Sequence, residues 1–459
     1  MALIKSISGI RGTIGGNPGE NLTPLDIVKF TAAFAASLSQ TSTSKTIVIG
    51  RDGRMSGKMV SGLCANTLIA CGFNVIDLGL TTTPTVEIAV KSEGAAGGII
   101  LTASHNPKEW NALKLLNGDG EFINAEVGEK VLDMAEKEEF NFVPIDKIGT
   151  YVEDDSYLQK HVDAVVNYSL VDVEAIKKAK FKIVVDPINS SGAIYVPALL
   201  KALGVKDIIV INEEVNGRFE HNPEPLPKNL NGLSNEVVKQ KASLGIAVDP
   251  DVDRLCFVCE DGSMFGEEYT LVAVADYILT HRKGNTVSNM SSTKSLKEIT
   301  HQHGSEYFPS AVGEVNVVSK MKEKNAVIGG EGNGGIIVPD FHYGRDALIG
   351  IGLFLTHLAH SKKSIKQLRG IYPDYFISKN KITLEDSVDV KDVFQKIKDK
   401  YKNNPINTED GLKIEFGNDW VHLRTSNTEP ILRIYSESNF ETTAENIAKK
   451  IMKDIKEVM

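Results

Sequence analysis

An α/β fold is predicted for this chain, with three similar α/β domains built on mixed, largely parallel sheets and a C-terminal α+β domain. Three observations carry the prediction. The chain has 459 residues, more than one hydrophobic core ordinarily organises. A strand, loop, helix, glycine, strand unit recurs three times along it. Beyond Gly370 and Pro373 the pattern changes to successive strands closed by one helix.

The first unit runs from a strand at Thr46–Gly50 through the turn RDGRMSG and a helix from Lys58 to Ala70. Gly72 stops that helix before a strand at Phe73–Ile76. Further on, GGIIL (97–101) reads as a short buried strand. The second unit begins at Lys182–Asp186 and passes through the loop PINSSG and a helix ending near Leu203. Gly204 then leads to Ile208–Val210. The third has strands at Thr286–Met290 and Glu306–Phe308 on either side of a helix through Ile299. Strands at Lys381–Leu384, Lys413–Phe416, Trp420–Leu423 and Ile431–Tyr435, with an amphipathic helix at Thr443–Val458, complete the chain. These elements place the domains at 1–153, 154–254, 255–371 and 372–459.

The composition, 42% hydrophobic and 24% charged, is that of a soluble globular protein. No apolar run approaches the ~18 residues of a membrane span, and MALIKSISGIRG is too short in apolar residues for a signal peptide, so a cytoplasmic protein without membrane association is expected. With a net charge of −9, nucleic acid is not an expected partner, and an anionic ligand must be drawn in by a local basic pocket. The four cysteines are too few for a disulfide framework. Cys256 and Cys259 form a CxxC, but they lie in the strand-like LCFVC, where positions three apart face opposite sides. Buried structural thiols are expected there rather than a redox or zinc pair.

Four loops could carry chemistry. In TASHNP (102–107) Ser104 follows a buried strand, and Pro107 keeps Asn106 from helical angles, so the serine sits on a tight loop where open α/β sheets bind ligands. In DPDVDR (249–254) three alternating aspartates share one side of an extended segment, a repulsive arrangement that calls for a hard cation such as Mg²⁺. A solvated acidic turn is the alternative. An EF-hand fails, because Arg254 stands where its glycine is required. The glycine-rich GEGNGG (330–335) lets backbone approach a ligand, and its one carboxylate could grip two sugar hydroxyls. RTSNTEP (424–430) with Arg433 offers guanidinium, hydroxyl and amide donors suited to phosphate, or else forms a plain polar hairpin. Ser104 has no GxSxG context and no oriented acid–base pair. A metal site and a phosphate site elsewhere suggest that its hydroxyl carries a phosphoryl group, whose oxygens would complete a Mg²⁺ shell.

TASHNP, DPDVDR, GEGNGG and RTSNTEP, in this order and spacing, resemble the four signature loops of the α-D-phosphohexomutase superfamily, one from each domain. The resemblance implies four domains around a central cleft, a phosphorylated Ser104, and one Mg²⁺ per active site held by Asp249, Asp251, Asp253 and the phosphoserine. It implies sugar contacts from Glu331, Gly332 and Asn333. A grip on the non-reacting phosphate is implied for Arg424, Ser426, Asn427, Thr428 and Arg433. Ile10-Arg11-Gly12 is similar to the family's amino-terminal IRG, which brings Arg11 into the cleft with Arg254. Lys114 in NALK matches the family's acid/base lysine, its alternative being a surface lysine. His105 is expected to orient the serine loop or to move a proton.

Within the superfamily, NMSST (289–293), VGE (312–314) and GEGNGG resemble the archaeal-type phosphoglucosamine mutases. The phosphomannomutase/phosphoglucomutase branch has a histidine where this chain has Gly335, and a lysine in the segment matching NMSST. The resemblance therefore implies interconversion of glucosamine 6-phosphate and glucosamine 1-phosphate through phospho-Ser104. A hexose 1,6-bisphosphate serves as bound intermediate and activator. Phosphomannomutase/phosphoglucomutase activity is the alternative; a sugar phosphatase or a non-catalytic sugar-phosphate binding protein lies further off. Small hexose phosphates are the expected partners, and a monomer or homodimer the expected assembly.

Overall fold

The structure, a computed structural model, describes residues 3–6, 9–385, 388–426 and 431–459. It divides into two compact units: Met1–Thr270 with Asn333–Arg369, and Leu271–Gly332 with Gly370–Met459.

The first unit contains a seven-stranded mixed sheet in the order Ile4–Ser6, Gly9–Thr13, Trp110–Leu116, Gly97–Leu101, Thr46–Arg51, Asn74–Leu80, Tyr151–Glu153. The three strands at its centre and toward its last edge, Gly97–Leu101, Thr46–Arg51 and Asn74–Leu80, run parallel. Alternation along them decides what covers each face. Ile47, Ile49, Ile99 and Leu101 pack with Phe34, Cys64 and Leu68 of the helices Pro24–Thr41 and Gly57–Ala70, whereas Val48 and Ile100 pack with Val86 and Val90 of Thr83–Ser92. Both faces are therefore dry, and the run GGIIL is buried at every position, as a covered strand requires.

A second sheet in the same unit has the order Leu255–Cys259, Leu244–Val248, Lys182–Asp186, Asp207–Val210. Its first pair is antiparallel with Val248 opposite Leu255, which makes 249–254 the loop of a hairpin. Cys256 and Cys259 are buried in that hairpin as free thiols, and burial pushes Cys256 well above the ordinary thiol range and Cys259 up to about 11. That is the inert pair expected from the strand reading.

In the second unit the parallel strands Tyr307–Ser310, Asn285–Asn289 and Ala326–Glu331 lie side by side. A five-stranded antiparallel sheet follows in the order Phe376–Thr383, Ile431–Ser438, Asp419–Thr425, Leu412–Phe416, Ile406–Asn407. The helices Val390–Lys400 and Glu441–Val458 close its core through Ile397, Ile451 and Ile455. Within this unit Lys413 Nζ donates to Met290 O at 2.7 Å and Lys294 N to Glu437 Oε1 at 3.0 Å, so the C-terminal sheet is tied to the loop after Asn289.

Two strands depart most from their expected limits. The strand placed at Phe73–Ile76 runs Asn74–Leu80, because buried Asp77 is satisfied by Ser61 Oγ and Tyr151 Oη and does not end it. The strand placed at Lys381–Leu384 begins at Phe376, its polar residues tolerated because it lies at a sheet edge. Among the described residues no helix is long and apolar enough to cross a membrane.

Candidate active site

Ser104 stands just beyond the strand Gly97–Leu101 with φ 47°, in the left-handed region that a non-glycine residue occupies only when held there. The holding group is Arg54. Its guanidinium donates to Ser104 O at 2.5 Å, Asn106 O at 2.7 Å, Pro107 O at 2.7 Å and Trp110 O at 2.9 Å. Its Nε pairs with Asp52 Oδ2 at 3.0 Å, and both side chains are wholly buried. Four loop carbonyls on one planar fork leave the serine loop little freedom. Arg11 Nη1 adds a bond to Asn106 Oδ1 at 2.7 Å.

The hairpin loop 249–254 faces that serine. Ser104 Oγ donates to Asp249 Oδ2 at 2.7 Å, and the His105 Nδ1 atom lies 3.4 Å from the same hydroxyl. Asp249, Asp251 and Asp253 are each fully buried, and their candidate ligand oxygens lie within 4.8 Å of one another. Backbone amides of Asp253 and Arg254 turn back onto Asp249 Oδ1 at 3.2 and 3.1 Å. Asp251 Oδ2 accepts from Lys114 Nζ at 2.8 Å and from Thr83 Oγ1 at 2.6 Å. Asp253 Oδ2 accepts from Arg345 Nη2 at 2.6 Å, with Lys114 Nζ at 3.7 Å.

Each of these two carboxylates thus has one saturated oxygen. The others, Asp251 Oδ1 and Asp253 Oδ1, are buried without a hydrogen-bond partner. Two carboxylate oxygens without a hydrogen bond, beside a third acid, fit a hard divalent cation with all-oxygen ligation. The titration directions agree with a crowded anionic site. Burial, then the charges of Asp253 and Asp251, push Asp249 well above the ordinary carboxylate range. For Asp251 the Lys114 and Thr83 contacts outweigh burial and hold it well below that range. Burial and the charges of Arg254, Arg11 and Arg345 hold His105 well below the ordinary imidazole range, hence neutral near pH 7.

In the second unit the Glu331 carboxylate is built into a loop cluster. Glu331 Oε1 accepts from Asn289 Nδ2 at 2.8 Å and from the Gly313 amide at 3.1 Å, and Gly332 N donates to Ser292 Oγ at 2.8 Å. Further along, Arg424 and Arg433 are direct cross-strand partners, and Lys381 is the partner of Arg433 on its other side. Three cations in one row across a sheet are mutually destabilising and call for an anion. Asp410 Oδ2, 3.3 Å from Arg424 Nε, meets part of that demand.

Four successive stretches match the Phosphoglucomutase/phosphomannomutase family: alpha/beta/alpha domain I over residues 3–142, domain II over 159–262, domain III over 266–375 and the C-terminal domain over 379–454. The chain belongs to this family. A phosphoglucomutase/phosphomannomutase of Thermococcus kodakarensis is 34% identical over 455 residues, covering 98% of each chain. A phosphoglucosamine/phosphogalactosamine mutase of Sulfurisphaera tokodaii is 31% identical over 460 residues, covering 99% of each. The crystal structure of a phosphoglucomutase/phosphomannomutase family protein from Burkholderia thailandensis superposes with a TM-score of 0.87 at 24% identity, covering 100% of this chain and 98% of that one, which establishes the common fold.

As a phosphohexomutase, the chain is an isomerase of four domains, three α/β and one C-terminal. Of the residues named from its sequence, Ser104, His105, Lys114, Asp249, Asp251, Asp253 and Arg254 come together in the first unit, and Arg11 reaches the serine loop through Asn106. Lys114 is buried against the aspartates, so the surface-lysine alternative is excluded. Asn333 also lies in the first unit; Glu331, Gly332, Arg424, Ser426 and Arg433 lie in the second. Asn427 and Thr428 are outside the described residues. Sequence reasoning missed four residues of this phosphohexomutase. Arg54 read as part of a turn and Lys381 as a strand residue, while Thr83 and Arg345 carried no signal at all.

Proposed function

We propose that the chain is a phosphoglucosamine mutase, interconverting glucosamine 6-phosphate and glucosamine 1-phosphate through a phosphoryl group carried on Ser104 and a bound 1,6-bisphosphate. The observation that carries the reading is the Ser104 hydroxyl, 2.7 Å from Asp249 at the edge of a buried three-carboxylate cluster to which Lys114 is bonded. Asp249, Asp251, Asp253 and the phosphorylated Ser104 would hold Mg²⁺, which when bound would supply neutralising charge for the transferred group. Ser104 Oγ gives its phosphoryl group to the free hydroxyl of the substrate and then receives the other phosphate back. Lys114 holds and returns the proton at the sugar oxygen, and Arg254 and Arg11 balance charge on the group in transit. His105, neutral and 3.4 Å from Ser104 Oγ, orients the hydroxyl.

Glu331, Gly332 and Asn333 are assigned to the sugar, and Arg424, Ser426, Asn427, Thr428 and Arg433 to the non-reacting phosphate. The four loops come one from each of four domains, with the boundary placed after Arg254 moved beyond Cys259, because Leu255–Cys259 pairs with Leu244–Val248 in the second sheet. The substrate assignment is supported by the way NMSST and VGE meet on one side chain: Asn289 and Gly313 both bond Glu331. It is supported also by the name of the Sulfurisphaera relative. The Thermococcus relative, named phosphoglucomutase/phosphomannomutase, favours the second reading, turnover of glucose or mannose phosphates. A coupled assay comparing glucosamine 6-phosphate, mannose 1-phosphate and glucose 1-phosphate decides between them. The highest kcat/KM is expected for the glucosamine ester, and a preference for either neutral sugar overturns the assignment.

A further inference from the structure

Gly335 ends the glycine loop 330–335 at the start of the short strand Gly335–Ile337. A Cβ placed there would lie 2.3 Å from Arg345 Cδ and 3.0 Å from its Cγ. The space a side chain at 335 would enter is thus occupied by the stem of an arginine ten positions on. That arginine is anchored at its tip and cannot swing aside cheaply: Nη2 is 2.6 Å from Asp253 Oδ2, at a fully buried carboxylate, and Arg345 itself is only 8% exposed.

The same contact divides the labour of the Asp253 carboxylate. Oδ2 is committed to Arg345, with Lys114 Nζ at 3.7 Å, while Oδ1 has no hydrogen-bond partner and only the longer ion pair to Arg254 Nε at 3.9 Å. A guanidinium on one oxygen fixes the plane of the carboxylate and leaves the other oxygen available. It also places a permanent positive charge beside any cation that oxygen would take.

We propose that Arg345 is a positioning residue of the phosphoryl-transfer site, fixing Asp253 through Oδ2 while opposing cation binding at Oδ1, and that residue 335 is glycine to admit its stem. The proposal rests on the metal reading given above. Arg345 trades cation affinity for a carboxylate held in one orientation. Losing it frees Asp253 to bind the cation more tightly in a less defined geometry.

The test uses the full-length protein with Mn²⁺ as the probe, by calorimetry and by electron paramagnetic resonance, alongside mutase turnover and thermal melting. Arg345→Met keeps an apolar stem and removes the charge. It should bind Mn²⁺ at least about tenfold more tightly than wild type, turn over at least about tenfold more slowly, and melt lower without metal but regain most of the loss when metal is added. Arg345→Lys keeps the charge and should stay within about threefold of wild type in Mn²⁺ affinity. A purely structural arginine would weaken metal binding and turnover together, which overturns the proposal, as does an unchanged affinity in Arg345→Met. Gly335→Ala should lower the melting temperature in the wild-type background and have a smaller effect alongside Arg345→Ala; equal effects in both overturn the space-sharing. If wild type itself binds no Mn²⁺, the metal reading falls and the proposal with it, a result distinct from the other failures.

Discussion

His342 offers a pH test of how the first unit is held together. Its Nε2 lies 3.1 Å from Asp346 Oδ2 and its Nδ1 3.3 Å from Glu87 Oε2, so the imidazole bridges two carboxylates from separate helices. Asp346 is also met by His161 Nε2 at 2.9 Å, and it caps the helix Ala347–Ser361. Burial alone would lower the His342 pKa, but Asp346 and Glu87 together raise it from 6.5 to about 9. A folded-state value above the unfolded one stabilises the protein fully below about pH 6.5, and the contribution is lost as pH rises through about 9. The interval corresponds to about 3 kcal/mol for a group this deeply buried. The perturbation is a pH series from about 6 to about 9.5 on wild type and His342→Gln, with urea unfolding as the assay. The wild-type advantage should shrink by about 2 to 3 kcal/mol across the series, most of it above about pH 6.5. A wild-type minus variant difference that does not change with pH, or one that grows, refutes the charged bridge.

Arg54→Met should cost about 3 to 5 kcal/mol by leaving the buried Asp52 charge without its guanidinium partner and the serine loop without its shared donor, and should lower turnover far more than substrate binding; denaturation and steady-state kinetics check both. Arg424→Ala should weaken binding of glucosamine 6-phosphate by about 2 to 4 kcal/mol, and Lys381→Ala, more exposed, by less than about 1 kcal/mol, as titration calorimetry reads directly. Chelation of divalent cations should abolish turnover, with Mg²⁺ restoring it, and calorimetry should show tighter Mg²⁺ binding when Ser104 is phosphorylated, because the phosphoester adds charge and hard oxygens.

The Ser104 loop and the aspartate hairpin were legible in the sequence because each follows a wholly apolar run that can only be a buried strand, so the polar cluster after it must sit at a strand end. The residues that hold those clusters were not legible. Arg54 acts on carbonyls some fifty positions away, and a backbone acceptor leaves no mark on sequence. Arg345 becomes visible only through the space above Gly335, a packing fact rather than a pattern. Lys381 joins Arg424 and Arg433 through the strand order of the C-terminal sheet, which single-strand periodicity does not contain. Strand limits slipped where a polar residue is paid for locally, as at Asp77.

The most direct measurement of the central claim follows the phosphoryl group itself. Wild type and Ser104→Ala are incubated with glucosamine 1-phosphate carrying isotopically labelled phosphate, and peptides, sugars and free phosphate are then analysed by mass spectrometry. In wild type the label is expected on the peptide containing Ser104 and on sugar products, with essentially none released as inorganic phosphate. The alanine variant, equally stable in unfolding, should acquire no label and lose more than about a thousandfold in turnover. Label on another residue, release of free phosphate as the main product, or near wild-type turnover without the Ser104 hydroxyl would contradict the phosphoserine mutase.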